Sequence, residues 1–239
     1  MTTKNRLLIA IPSTVTLLGV LFGFLCLLWA PTAPYAAGCA VIGASLCDMI
    51  DGRIARLTGT SSAFGVQLDS LADLASFGIA PAFLAYHWAV APDPGQGFDP
   101  LSLVAFLYVV GCAVRLARFN VDTSSDTSPG FFMKGLPSPV AALLLTTLTM
   151  TSHELAWPFL RSPALILGVA LGLAVLMVTT VPFPSYKKFK SRPRQLAFFA
   201  AITAGLTLLI AGGPGGAVLC GLLTLYVVVG LGRAVFTRS

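Results

Sequence analysis

Eight apolar stretches account for most of this chain: Pro12 to Ala30, Tyr35 to Ile54, Val66 to Val90, Leu101 to Phe119, Leu136 to Thr151, Pro163 to Val181, Leu196 to Ile210 and Gly216 to Phe236. Most come close to the roughly 20 residues that an α-helix needs to cross the hydrocarbon core of a bilayer. The links carry turn formers, among them Ala30-Pro31-Thr32-Ala33-Pro34, Ala91-Pro92-Asp93-Pro94-Gly95 and Gly212-Gly213-Pro214-Gly215-Gly216, which end helices rather than extend them. No soluble domain fits between the stretches. With 56% hydrophobic and only 10% charged residues, the chain is too apolar for a soluble domain of its size. The expected fold is all-α, a polytopic membrane helix bundle of about eight transmembrane helices.

The bases fix an orientation. If the N-terminus is cytoplasmic, Lys4, Arg6, Arg53, Arg56, Arg115, Arg118, Lys134, Lys187, Lys188, Lys190, Arg192, Arg194, Arg233 and Arg238 all fall in cytoplasmic segments or helix ends. Arg161 alone of the fifteen falls outside. That is the positive-inside bias for eight spans with both termini cytoplasmic. The net charge of +6 is spread along membrane boundaries and forms no face that could track a phosphate backbone, so nucleic acid is not an expected partner and membrane lipid headgroups are. Lys4 and Arg6 before an apolar run look like a signal peptide, but the length of the run and its continuation into further spans read as a retained first helix. Cys26, Cys39, Cys47, Cys112 and Cys220 lie singly in apolar segments and read as reduced packing residues. Gly19 with Gly23, and Gly168 with Gly172, have the spacing of helix-packing faces, within a subunit or between subunits.

Carboxylates inside membrane helices are costly and mark function. Of nine acidic residues, Asp48 and Asp51 fall at the end of the second apolar stretch, and Asp69 and Asp73 at the start of the third. Spacings of three and four put each pair on one helix face. The short Arg56 to Ser62 link makes the two helices antiparallel neighbours, so the four acids can share one pocket near the cytoplasmic surface. Such a cluster must bind protons or cations to relieve its own repulsion. Oxygen donors without His or Cys favour Mg²⁺ or Mn²⁺ over zinc. Gly52, Ala55 and Gly65 clear side chains from around the acids, and Arg56 adds a cation suited to phosphate.

The stretch Asp48-Met49-Ile50-Asp51-Gly52-Arg53-Ile54-Ala55-Arg56, followed by Gly65, Asp69 and Asp73, resembles the signature of the CDP-alcohol phosphotransferase family, D-x2-D-G-x2-A-R-x8-G-x3-D-x3-D, at all eight fixed positions. Further matches resemble the membrane-embedded branch of that family that makes phosphatidylserine. They are Gln67 to Asp73 running on through Ser76-Phe77-Gly78-Ile79-Ala80-Pro81, then Arg115-Leu116-Ala117-Arg118-Phe119-Asn120, and Lys134-Gly135-Leu136-Pro137-Ser138-Pro139. The resemblance implies a six-helix catalytic core over residues 1–181, with residues 182–239 forming a basic cytoplasmic loop and two C-terminal helices. It implies a homodimer, and a reaction in which the hydroxyl of L-serine attacks the lipid-linked phosphorus of CDP-diacylglycerol, releasing CMP. Asp48, Asp51, Asp69 and Asp73 would ligate two Mg²⁺ or Mn²⁺ ions, Asp73 would also be the base, and Gly52, Ala55, Arg56 and Gly65 would bind the CDP-lipid. Arg115, Arg118 and Lys134 would receive the acceptor or a phosphate.

Choline, glycerol 3-phosphate and an inositol phosphate are alternative acceptors for the same signature. A cation-coupled transporter is the competing class, but transporters place their site near the midplane between repeated halves. Here the acids cluster at one surface, and no acidic residue follows Glu154. His87 and His153 read as interfacial polar residues. The Lys187 to Arg194 run reads as a headgroup anchor.

Overall fold

Helices α1 (Thr3–Trp29) and α2 (Pro34–Thr58) form a closely packed pair. Their link is stitched by Ala33 N–H to Trp29 O at 2.7 Å, and Pro34 opens α2 at a position where no intrahelical donor is needed. A computed structural model describes residues 3–58, 62–90, 99–124, 132–184, 205, 208 and 213–236. Ser62 caps α3 (Ala63–Asp73), its Oγ accepting from Gly65 N–H at 3.0 Å, which satisfies one of the orphan donors of the first turn. α3 runs directly into a π-helical segment (Leu74–Ile79) and then α4 (Ala80–Val90), making one continuous helix of 28 residues. In the π segment the ladder is distorted, and the hydroxyl of fully buried Tyr108 donates to Phe77 O at 3.1 Å.

Next come α5 (Leu101–Ser124), strand β1 (Phe132–Lys134), α6 (Ser138–Leu155), a short 3₁₀ turn (Pro158–Arg161), α7 (Pro163–Val178), strand β2 (Pro182–Pro184) and α8 (Gly215–Phe236). The two strands pair antiparallel, with Met133 opposite Phe183. Among the described residues this ribbon is the one extended element, in a fold that is otherwise all-helical as expected. It joins the segment before α6 to the segment after α7. Gly135, next to β1, has φ of 77°, and a Cβ there would lie 2.6 Å from Met177 O and 2.8 Å from Thr179 O. Gly135→Ala is therefore expected to destabilise the protein by about 1–3 kcal/mol, the usual cost of such backbone strain. A thermal scan in detergent checks this, and an unchanged midpoint would show that the ribbon can shift without loss.

The larger core is built from α4 to α7, with Tyr108, Leu145, Ile166 and Met177 fully buried. A second cluster joins α1, α2 and α4 through Cys26, Val41 and Leu84. Small residues allow close approach. A Cβ on Gly111 would sit 3.0 Å from the Ala174 backbone, and one on Gly23 would sit 2.9 Å from Ser76 Oγ. Gly19 faces Cys47, so the α1 glycines pack inside the subunit, whereas Gly168 and Gly172 meet nothing within 4 Å among the described residues. Far along the helices from the acidic residues, Glu154 accepts from the N–H groups of Gly216 and Ala217 at 2.9 and 3.0 Å, and from Tyr35 Oη at 3.1 Å. A carboxylate at a helix N-terminus is favourable, and this one seats α8 on α6.

Four of the described helices are long and apolar enough to cross a membrane: Pro12–Trp29, Ala63–Val90, Leu101–Asp122 and Gly215–Gly232. The protein is a membrane protein. The expected count of eight is not reached on those grounds, for physical reasons that differ by helix. α7 has 16 residues, and α2 carries Asp48, Asp51, Arg53 and Arg56 in its second half. α6 is rich in Ser and Thr, though Thr147, Thr149 and Thr151 donate to carbonyls of their own helix at 2.7 Å, which lowers the cost of burying them. The expected Leu196 to Ile210 stretch, apart from residues 205 and 208, lies outside the described residues, as does the Lys187 to Arg194 run.

Candidate active site

The acidic site forms where the second half of α2 meets α3 against the first helix. Asp48 and Asp51 stand one helical turn apart on α2, and Asp69 comes from α3. One carboxylate oxygen from each of the three lies within 4.8 Å of the others. Asp51 is buried, while Asp48 and Asp69 are partly exposed. Asp73, one turn beyond Asp69, is outside that close group but lines the same small cavity together with Asp48, Asp51, Asp69, Thr16 and Ser76. Sequence spacing thus correctly brings all four acids to one place, and the structure separates three from the fourth.

A wider open cavity, about 110 Å³, adjoins the acids and shares Asp51, Asp69 and Thr16 with the smaller one. Gly52, Ala55, Gly65, Ser62 and Val66 also line it, so the small residues of the signature do keep space clear beside the carboxylates. The side chains of Arg56 and Lys134 lie outside those described.

Thr16 is the site residue that sequence reasoning missed. It is buried on α1, and its hydroxyl lies 2.7 Å from Asp51 Oδ2 and 3.0 Å from Pro12 O. A lone hydroxyl in an apolar helix carries no signal by itself, since Ser and Thr commonly bond the carbonyl four residues back, as Thr16 does to Pro12 O. Ser76 at the start of the π segment donates to Gly19 O at 3.1 Å, which fixes the helix carrying Asp69 and Asp73 against α1. On the opposite flank, Asn120 Nδ2 donates to Ser70 Oγ at 2.9 Å, tying α3 to α5.

Arg115 and Arg118, three apart on α5, have different surroundings. Arg115 is buried, donates from Nη1 to Ser138 Oγ at 2.7 Å, and interacts electrostatically with Asp73. Arg118 is partly exposed, and its Nη2 donates to Val178 O at the end of α7. The C-terminal carbonyls of a helix are a natural partner for a cation. His87 and His153 sit among aromatic rings, with Phe83 and with Tyr35 and Trp88, away from the acids.

Oxygen-only donors held close together, in a partly buried setting, suit a hard divalent cation. The three clustered aspartates therefore fit the metal that their sequence pattern implies. Fold and site together describe a membrane helix bundle with an acidic cluster, suited to a hard divalent cation, beside an open cavity.

Comparison with known proteins gives the class directly. The family profile of CDP-alcohol phosphatidyltransferase matches residues 9–181. The chain is 35% identical over 181 residues, 75% of its length and 73% of the relative's, to a CDP-diacylglycerol--serine O-phosphatidyltransferase of Helicobacter pylori. It is 32% identical to an archaetidylserine synthase of Methanothermobacter thermautotrophicus, covering 74% of this chain and 70% of the relative. Among solved structures it is similar to phosphatidylinositol phosphate synthase of Mycobacterium tuberculosis, at 25% identity and a TM-score of 0.52. The form with CDP-DAG bound aligns over 73% of this chain and 85% of that one. The same protein has been solved in complex with manganese and citrate. This chain belongs to the CDP-alcohol phosphatidyltransferase family.

Proposed function

We propose that the protein transfers a phosphatidyl group from CDP-diacylglycerol to the hydroxyl of L-serine, forming phosphatidylserine and CMP. The acidic cavity beside an open, small-residue-lined cavity carries the reading. Serine as acceptor is supported by the serine-directed names of the relatives in Helicobacter and Methanothermobacter, and by a buried arginine, Arg115, whose charge acts on Asp73, since serine brings a carboxylate that a quaternary ammonium acceptor lacks. The acceptor named for the solved relative is different, so the acceptor is what the first experiment must test.

In this reading Asp48, Asp51 and Asp69 hold a divalent ion, with Asp73 beside them as a further ligand toward a second ion. When bound, Mg²⁺ or Mn²⁺ would offset the pyrophosphate charge and stabilise the departing phosphate. Gly52, Ala55 and Gly65 leave room for the nucleotide, and Arg56 meets phosphate. Asp73 takes the proton from the serine hydroxyl as it attacks phosphorus. The P–O bond to the CMP leaving group breaks as the new phosphodiester forms. A soluble amino acid and a lipid must meet at one place, and acids at the cytoplasmic ends of α2 and α3 satisfy that requirement with both termini cytoplasmic. Residues 1–181 form the catalytic core in this reading, and residues 182–239 are accessory.

Thr16 supports Asp51 from α1. Loss of such an outer partner usually costs about 10- to 100-fold in metal affinity, so Thr16→Val is expected to weaken Mn²⁺ binding by that amount, and Thr16→Ser to retain it. Mn²⁺ titration followed by electron paramagnetic resonance reads this without turnover. Equal affinities in all three proteins would remove Thr16 from the site.

The function itself is tested by CMP release from CDP-diacylglycerol in detergent with Mn²⁺ or Mg²⁺, comparing serine, choline, glycerol 3-phosphate, inositol phosphate and no acceptor. Serine-dependent release with phosphatidylserine formed supports the proposal. Release with another alcohol moves the acceptor within the family chemistry. Failure with every acceptor, in folded and metal-loaded protein, sinks the proposal.

A further inference from the structure

Among the side chains described, Asp51 and Arg115 are the two charged ones that are buried. Asp51 has Thr16 and the neighbouring carboxylates around it. Arg115 is less well provided for. Its Nη1 donates to Ser138 Oγ, but its Nε is buried without a partner among the described residues. A guanidinium offers five N–H donors in a fixed fork, and a buried charged donor left unpaired costs stability. Such a group is retained where something else supplies the missing acceptor. Arg115 and Asp73 also feel one another's charge, so the open donor belongs to the neighbourhood in which the acceptor hydroxyl must lose its proton.

Ser138 is fully buried and is the first residue of α6. The backbone leading to it is pinned to α7 and to the residue before β2, with Leu136 N–H donating to Leu176 O at 3.0 Å and Gly135 N–H to Val181 O at 2.9 Å. The hydroxyl therefore has a place set by backbone hydrogen bonds, and it holds one arm of the Arg115 fork. Arg118, by contrast, spends Nη2 on Val178 O. The two arginines of the Arg115-Leu116-Ala117-Arg118 motif divide their work between an open donor and a helix end.

We infer that Ser138 is a positioning residue, which holds the Arg115 guanidinium so that its open Nε receives the anionic group of the acceptor alcohol beside Asp73. The inference rests on the acceptor reading above and sharpens it. It assigns an anionic acceptor to this subsite and gives the Ser138 hydroxyl a role in acceptor affinity.

The test uses full-length protein in detergent with Mn²⁺, measuring KM for the acceptor and for CDP-diacylglycerol separately. Ser138→Ala is expected to raise the serine KM by about tenfold, as for loss of one charge-assisted hydrogen bond. The KM for CDP-diacylglycerol and the Mn²⁺ affinity should stay within about twofold, since neither ligand is read through Ser138. Ser138→Thr keeps the hydroxyl and is expected to recover most of the serine affinity. A double-mutant cycle with Arg115→Lys decides the route: if Ser138 acts through Arg115, the second substitution adds little to the first. Equal rises in both KM values, no change in the serine KM, or fully additive effects in the cycle would overturn the inference. If the wild type accepts glycerol 3-phosphate or inositol phosphate in place of serine, the serine assignment fails, while a selective rise in the KM for that anion upholds Ser138. A wild type that accepts only choline overturns both.

Discussion

Asp69→Asn is expected to cut CMP release by about a hundred- to a thousandfold, as for removal of a preorganised electrostatic group at the reacting phosphate. The substitution keeps the side-chain volume and removes one of three carboxylates that lie within 4.8 Å of one another. It also relieves repulsion among them, so the variant should melt no lower than the wild type in detergent without metal. Mn²⁺ affinity should fall along with turnover. Both losses together are required: a variant that keeps full Mn²⁺ affinity, or that keeps substantial activity, would defeat the assignment of Asp69 as a ligand.

Asp73→Asn should separate the two properties. Asp73 lines the same cavity but stands outside the close group of three, and the proposal makes it the base. Loss of a general base typically costs about 10²- to 10⁴-fold, and kcat is expected to fall by that amount. The tighter Mn²⁺ site, built from Asp48, Asp51 and Asp69, should survive. If Asp73→Asn and Asp69→Asn lose Mn²⁺ in equal measure, Asp73 is a ligand of the same ion and its separation from the group of three fails. The two variants, measured side by side, test the division of labour that the geometry suggests.

Much of the site was legible because it is written locally. The spacings of Asp48 with Asp51 and of Asp69 with Asp73 depend only on helical periodicity, whereas the meeting of the two pairs is arranged mainly by α1, on which both α2 and α3 pack, rather than by direct α2–α3 packing. The open cavity follows from glycine and alanine at positions next to the acids. Thr16 was not legible, since its importance depends on which face of α1 packs against α2, and the apolar residues around it give little amphipathic pattern to read. The same limit applies to Arg115 and Arg118. Spacing places both on one face of α5, but only the packing of α6 and α7 shows that one meets Ser138 and the other Val178 O.

The fold shows a similar division. Apolar runs located most described helices to within a few residues, as with Ser138–Leu155 against an expected Leu136 to Thr151, but α1 begins at Thr3, nine residues before the expected Pro12, because polar residues at its start extend a helix that hydropathy does not count. The ribbon of Phe132–Lys134 with Pro182–Pro184 was invisible, because three-residue strands separated by two helices leave no period to detect. Hydropathy alone also misjudges α2 and α6, whose polar residues are placed for the site or bonded to their own backbone.

The π-helical turn at Leu74–Ile79 has a consequence for how such chains can diverge. A π turn holds about one residue more than an α turn, and one residue is about 100° of rotation. Removing a single residue there would restore an ordinary ladder but swing Asp69 and Asp73 around the axis relative to everything after Ala80, including the Tyr108 contact that occupies Phe77 O. Substitutions in this stretch can be absorbed one at a time. Insertions and deletions cannot, so gaps between functional relatives should fall in the links and spare residues 63–90.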